Sequence, residues 1–185
     1  MLEDWFQQIN ALNDNLSRLN FVLRLPKEGS TTDLKEVEYV VDIKDEPIPP
    51  FTELNGKIFY WCSQFWDIPI DEIKLHEYRK NIPDKVGVQI FLVKHFGKKM
   101  DSDEVIAWGK ENGYLPATFK ETLAFAKAHT EIQKQFYIVA LGSFAMHGGG
   151  RCVAVPGSDS SRRIFGNGWF DGRWSSGSRF LFVRK

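Results

Sequence analysis

Residues 165–185 read FGNGWFDGRWSSGSRFLFVRK. Phe180-Leu181-Phe182-Val183 is an unbroken apolar run with the length of a buried strand. The residues before it crowd glycine, serine, arginine and aromatics together. A polar, ring-bearing surface is thus joined directly to a core strand, and the chain upstream decides what core that strand enters.

Working outward, FYIVALGS at 136–143 is a second apolar strand. Before it, Pro116-Ala117-Thr118 leads into a helix, with Thr118 and Glu121 spaced as a capping box. Asp101 and Glu104 form another such box, opening a helix that runs to about Asn112 and stops at Gly113. VGVQIFLVKHF at 86–96 is rich in β-branched and aromatic residues and reads as a strand. Residues 86–185 are therefore expected to form one compact α+β unit with two helices and short antiparallel strands. In it, FYIVALGS and RFLFVRK should share an antiparallel sheet, joined by long polar loops.

Upstream, Leu2, Phe6, Ile9, Leu12, Leu16 and Leu19 give one apolar helix face. Residues 34–43 alternate as a strand, which the prolines of KDEPIPP stop. KIFYWCSQFW at 57–66 reads as core running into a turn at Pro69, with a partner-binding patch as the other reading. Near 80–86, RKNIPDK (residues 79–85) joins charge, proline and turn formers and marks a break. Residues 1–85 are accordingly read as a small N-terminal α/β region, separate from 86–185.

Of the 185 residues 43% are apolar and 26% charged, with a formal net charge of zero. A neutral chain gives no whole-molecule attraction to nucleic acid or to an anionic membrane. Cys62 and Cys152 have no metal-ligand spacing, and neither do His76, His95, His129 and His147. A Cys152–His147 dyad lacks an orienting third group. Gly148-Gly149-Gly150-Arg151 reads as a turn, and Arg162-Arg163 beside Ser158–Ser161 lacks the helix start of a phosphate site. No catalytic residue, metal or cofactor is expected. Glu3 and Asp4 in MLEDWFQQINALNDNLSRL argue against a signal peptide or membrane span, so a cytoplasmic location is expected.

The window from residue 147 onward is compositionally distinct. Lys, Glu, Gln and Met supply 36 of the 185 residues, yet none lies between His147 and Arg184. At uniform composition that gap arises at roughly the per-mille level. Six of the nine arginines fall in the same window. The missing residues are the long, flexible ones that ordinarily coat a solvated surface.

The order from Glu104 onward (a helix to Gly113-Tyr114, the Pro116-Ala117-Thr118 cap, Ala140-Leu141-Gly142-Ser143, a polar excursion, then Arg179-Phe180-Leu181) resembles the C-type-lectin-like fold. In particular it is similar to the variable proteins of bacterial diversity-generating retroelements. Where that family has Arg-Leu-Pro-Thr, this chain reads Tyr114-Leu115-Pro116-Ala117-Thr118. In the family, error-prone copying at adenines replaces AAY codons while the third base stays a pyrimidine, which excludes Lys, Glu, Gln, Met and Trp. Every residue of 157–178 except Trp169 and Trp174 fits that rule.

The resemblance implies a C-type-lectin-like ligand-binding domain over 86–185, with a variable region of about 147–179. It implies a non-catalytic binder of a protein or other macromolecule, with no nucleic acid. Ser158, Asp159, Ser160, Arg162, Asn167, Phe170, Asp171, Arg173, Ser175, Ser176 and Ser178 would be displayed. Trp169, Trp174 and Arg179 would be buried scaffold. The competing readings are an ordinary polar loop over a β core, and a lectin or small enzyme with an arginine-lined pocket for a sugar or anionic ligand. Since no ligand cluster is legible, a chelator should leave the melting temperature unchanged; a shift of several degrees with EDTA would show otherwise.

Overall fold

A computed structural model of the chain describes residues 36–63, 66–160 and 162–185. The chain divides into two compact units, residues 1–33 and 34–185, and the second holds all the described residues. The helix expected on residues 2–19 lies outside them.

The unit is mixed α+β around one nine-stranded sheet. Its strands are β1 (Glu36–Ile43), β2 (Trp61–Cys62), β3 (Lys74–Leu75), β4 (Gly87–His95), β6 (Tyr114–Pro116), β7 (Ile138–His147), β8 (Gly150–Asp159), β9 (Arg162–Trp169) and β11 (Arg179–Arg184). The order across the sheet is β1-β4-β11-β7-β8-β9-β2, with β3 beside β7 and β6 beside β11. The short strands β5 (Met100–Asp101) and β10 (Arg173–Trp174) pair separately. The helices are α1 (Phe51–Leu54), α2 (Ser102–Glu111), α3 (Phe119–Ala128) and α4 (Thr130–Gln135).

Both expected capping boxes are formed. Asp101 N–H donates to Glu104 Oε2 at 2.9 Å at the start of α2, and Thr118 N–H donates to Glu121 Oε2 at 2.8 Å at the start of α3. Gly113 ends α2 with φ +80, a conformation glycine adopts without penalty.

The two faces of the sheet carry different cores. Phe125, Leu123 and Ala126 of α3 pack with Phe91, Val93, Ile138, Ala154, Phe165, Leu181 and Val183. Val105 and Ile106 of α2 pack with Leu92, Val139, Leu141, Val153, Phe180 and Phe182. β11 therefore buries alternate residues into opposite cores, which is why FLFV is continuously apolar rather than alternating.

Three expectations are corrected. β11 is in the same sheet as β7 but runs parallel to it, pairing Arg179 with Ile138 and Phe180 with Val139. Each of β7, β8 and β9 reverses the one before, so the chain must travel back across the sheet after β9. It re-enters in the direction of β7, and the antiparallel neighbours of β11 are β4 and the short β6. Next, the break at 85/86 falls inside the unit. All eight residues of β1 pair with β4, and β2 and β3 extend the same sheet. RKNIPDK is only a turn, closed by Ile82 N–H donating to the Arg79 carbonyl at 3.0 Å. Last, most of the long polar excursion is the β8–β9 hairpin rather than a loop.

One polar cluster ties the chain before residue 85 to the rest. Arg79 is 1% exposed and donates to Glu121 Oε1 at 2.7 Å and to Asp84 Oδ1 at 3.1 Å. Thr118 Oγ1 donates to the same Asp84 oxygen at 2.8 Å. Burial pushes the Glu121 carboxyl up, and Arg79 and the Thr118 N–H oppose that by favouring the carboxylate. Removing Arg79 leaves the buried Glu121 carboxylate without a counter-charge, and neutralising Glu121 leaves the buried guanidinium with Asp84 alone. Arg79→Ala and Glu121→Gln should each cost about 3–5 kcal/mol in a denaturant melt. A loss below about 1 kcal/mol would show that the pair does not hold the unit together.

Candidate ligand-binding face

The hairpin is a regular ladder from Cys152–Trp169 to Asp159–Arg162. Residues directly opposite share a face, and successive residues alternate. Cys152, Ala154, Phe165 and Asn167 thus point to the α3 side. Val153, Val155, Gly157, Asp159, Arg162, Ile164 and Gly168 point to the α2 side. There the core takes in Val153 and Val155 and goes no further along the hairpin.

Beyond Val155 three side chains form a row across the sheet. The Tyr137 ring lies on Gly157, where an added Cβ would sit 2.5 Å from the ring. Ile164 is opposite Gly157, and Trp61 is opposite Ile164. Two strand spacings separate Gly157 from Trp61, about 10 Å. Tyr137 is 56% exposed and Trp61 45%, so the row presents large apolar area to solvent. Beside it the Arg162 guanidinium stacks 3.6 Å over the exposed Tyr60 ring and donates to Asp159 at 3.1 Å. Ser160 turns the hairpin with φ 56.

The segment returning to β11 borders this row. Trp174 is half-buried: its ring sits on Gly168, meets Phe180 edge-on at 6.2 Å, and its Nε1–H donates to Ser102 Oγ at 2.8 Å. Ser175 and Ser176 follow, exposed, with the Ser176 carbonyl accepting from His95 Nε2 at 2.7 Å. Arg179 N–H donates to the Tyr137 carbonyl at 3.2 Å, which places the serine turn next to the Tyr137 end of the row.

The displayed set is therefore divided. Asp159, Ser160, Arg162, Asp171, Arg173, Ser175 and Ser176 are exposed. Ser158 is half-buried, its hydroxyl donating to the Lys134 carbonyl at 3.0 Å. Asn167 is half-buried on the opposite face, accepting from Ser63 Oγ at 2.8 Å. Two residues expected to be displayed are buried. Phe170 is 2% exposed because its ring is sandwiched between the Arg151 guanidinium at 4.0 Å and the His76 ring at 5.0 Å. Ser178 is 9% exposed, its hydroxyl turned to Ser175 Oγ at 3.2 Å.

Of the expected scaffold, Arg179 is buried and Trp174 packs against the core, but Trp169 is 50% exposed. Trp169 lies at the strand end, past the last core residue, its ring resting on Gly150 beside His147. Tyr137 and Ile164 were missed, and Tyr60 and Trp61 lie in the stretch whose first reading is core, with a partner-binding patch as the alternative. The signal was present in KIFYWC, where Phe59 and Cys62 are buried while Tyr60 and Trp61 face out.

Three arginines of the window are held by aspartates, Arg162 by Asp159, Arg151 by Asp171 and Arg173 by Asp101 at 3.0 Å, and the exposed Arg184 is held by Glu38. The Arg151 hydrogen bond holds the Asp171 carboxyl below its usual value. Such exposed pairs contribute about 0–1 kcal/mol, so a partner can exchange them at little cost. Cys152 is buried and its thiol pushed up by burial, and burial pushes Cys62 up to about 12, so neither thiol ionises readily. Among the described residues no His, Cys, Asp and Glu group could hold a metal ion.

The two tryptophans should behave differently. Trp174→Ala should cost about 3 kcal/mol in a denaturant melt, and Trp169→Ala less than about 1 kcal/mol. Equal losses would contradict the seating of Trp174 on Gly168.

Comparison of the chain with known protein families, curated proteins and solved structures found no match.

Proposed function

We propose that this chain is a non-catalytic ligand-binding protein of the C-type-lectin-like kind, a variable protein whose C-terminal face recognises a protein or other macromolecule. The observation that carries this reading is the separation of face from core. Asp159, Ser160, Arg162, Asp171, Arg173, Ser175 and Ser176 are exposed, while the backbone beneath them is fixed by strand register and by rings seated on glycines. Residues so placed can change without disturbing either core.

The composition supports the same reading, since between His147 and Arg184 the window lacks Lys, Glu, Gln and Met, and of the residues that pyrimidine-ended codons exclude it holds only Trp169 and Trp174. The chemistry of the face also supports it. Tyr60, Trp61 and Tyr137 offer large, rigid contact area at low entropic cost, and serines offer adaptable hydrogen bonds. The row is open and broad rather than enclosed, which suits a macromolecular target better than a small one. Among the described residues no helix is long and apolar enough to cross a membrane.

The test is a display library in which the seven exposed positions are randomised with pyrimidine-ended codons. Most members should melt close to the parent, because surface substitutions typically shift stability by less than about 0.5 kcal/mol. Selection against unrelated proteins should then enrich specific binders. A library that is mostly unfolded, or that enriches against no target, would defeat the proposal.

A further inference from the structure

A cleft of about 370 Å³ lies on the α2 side of the sheet, lined chiefly by His76, Glu77, Lys80, Asp103, Phe144 and Arg151. Its charges are mixed, two basic and two acidic. Among the described residues, Glu77, Lys80 and Asp103 make no side-chain ion pair, and Arg151 has only its exposed pair with Asp171. His76 is 4% exposed, stacked between Tyr78 at 5.0 Å and Phe170 at 5.0 Å, and its Nδ1 has no hydrogen-bond partner. A buried polar atom left in that state costs free energy until something pairs with it.

We infer that this cleft is a second binding site and takes a compact zwitterion, a small group bearing one carboxylate and one ammonium. A lone anion drawn to Arg151 and Lys80 would be repelled by Glu77 and Asp103. A lone cation drawn to the two carboxylates would meet the two basic side chains. A neutral ligand would desolvate all four charges and repay none of them. A molecule carrying both charges satisfies both pairs, with the carboxylate at Arg151 and Lys80 and the ammonium at Asp103 and Glu77. Burial lowers the His76 pKa, so the imidazole adds no charge at neutral pH and leaves this balance intact. The inference does not depend on the proposed function of the aromatic row.

The experiment titrates the full chain with glycine, β-alanine and 4-aminobutyrate, and with acetate and methylammonium as single-charge controls. Heat of binding and the His76 ring signals are followed by calorimetry and NMR. At least one zwitterion should bind saturably and move the His76 signals, and neither control should. Asp103→Asn and Lys80→Gln, both at exposed positions, should keep the parent's melting temperature and weaken that binding about tenfold each. Zwitterions that bind no better than acetate or methylammonium would overturn the inference, as would either variant binding like the parent.

Discussion

The burial of Phe180–Val183 on both faces is the constraint around which the unit is arranged. A strand with no solvated face needs neighbours on both edges and a helix layer on each side. β4 and β7 supply the edges; α3 and α2 supply the layers. Because the strand lies in the middle of the sheet, the chain must build the β8–β9 hairpin at one side and then return. The return segment at 170–178 crosses toward the sheet centre and borders the uncovered part of the hairpin. The position of the exposed serines and arginines is thus a consequence of where the core strand has to lie.

Holding that arrangement requires the earlier part of the chain. Arg79 reaches the start of α3 and there meets Glu121, which already serves as the helix cap. One carboxylate satisfies the orphan N–H of the helix entry with one oxygen and a buried guanidinium with the other. A buried pair of this kind adds less to net stability than its Coulomb energy suggests, because both charges are desolvated. Its effect is to fix which segment lies against α3. The adjoining β3 and His76 are thereby set against β7, where His76 N–H donates to the Gly142 carbonyl at 3.0 Å.

The glycines of the window act mainly as seats. Gly150, Gly157 and Gly168 leave room for Trp169, Tyr137 and Trp174 to lie flat on the sheet, at distances where a Cβ would be 2.8, 2.5 and 2.6 Å from the rings. This gives a face that combines rigid aromatic area with small polar side chains. The backbone beneath it is ordered by the ladder and not by the exposed residues themselves. Stability and recognition are in this way assigned to different positions of the same strands.

The sequence by itself determined the elements with strong local signals. Both capping boxes, the stop at Gly113, and the strands within 36–43, 87–95, 138–143 and 179–184 follow from short-range chemistry that tertiary contacts did not override. Only the tertiary structure decided how those pieces pair. The parallel entry of β11 depends on the reversals that precede it, and the joining of β1 to β4 depends on contacts across fifty residues. The hairpin was hidden because Gly, Ser and Arg read locally as loop, whereas its order comes from burial on two faces at once. The same reason governs the site. Trp169 and Phe170 are neighbours, yet the one lies beyond the core and the other is enclosed by Arg151 and His76 from distant strands. Exposure is a property of what covers a residue, and the chain near that residue does not encode it.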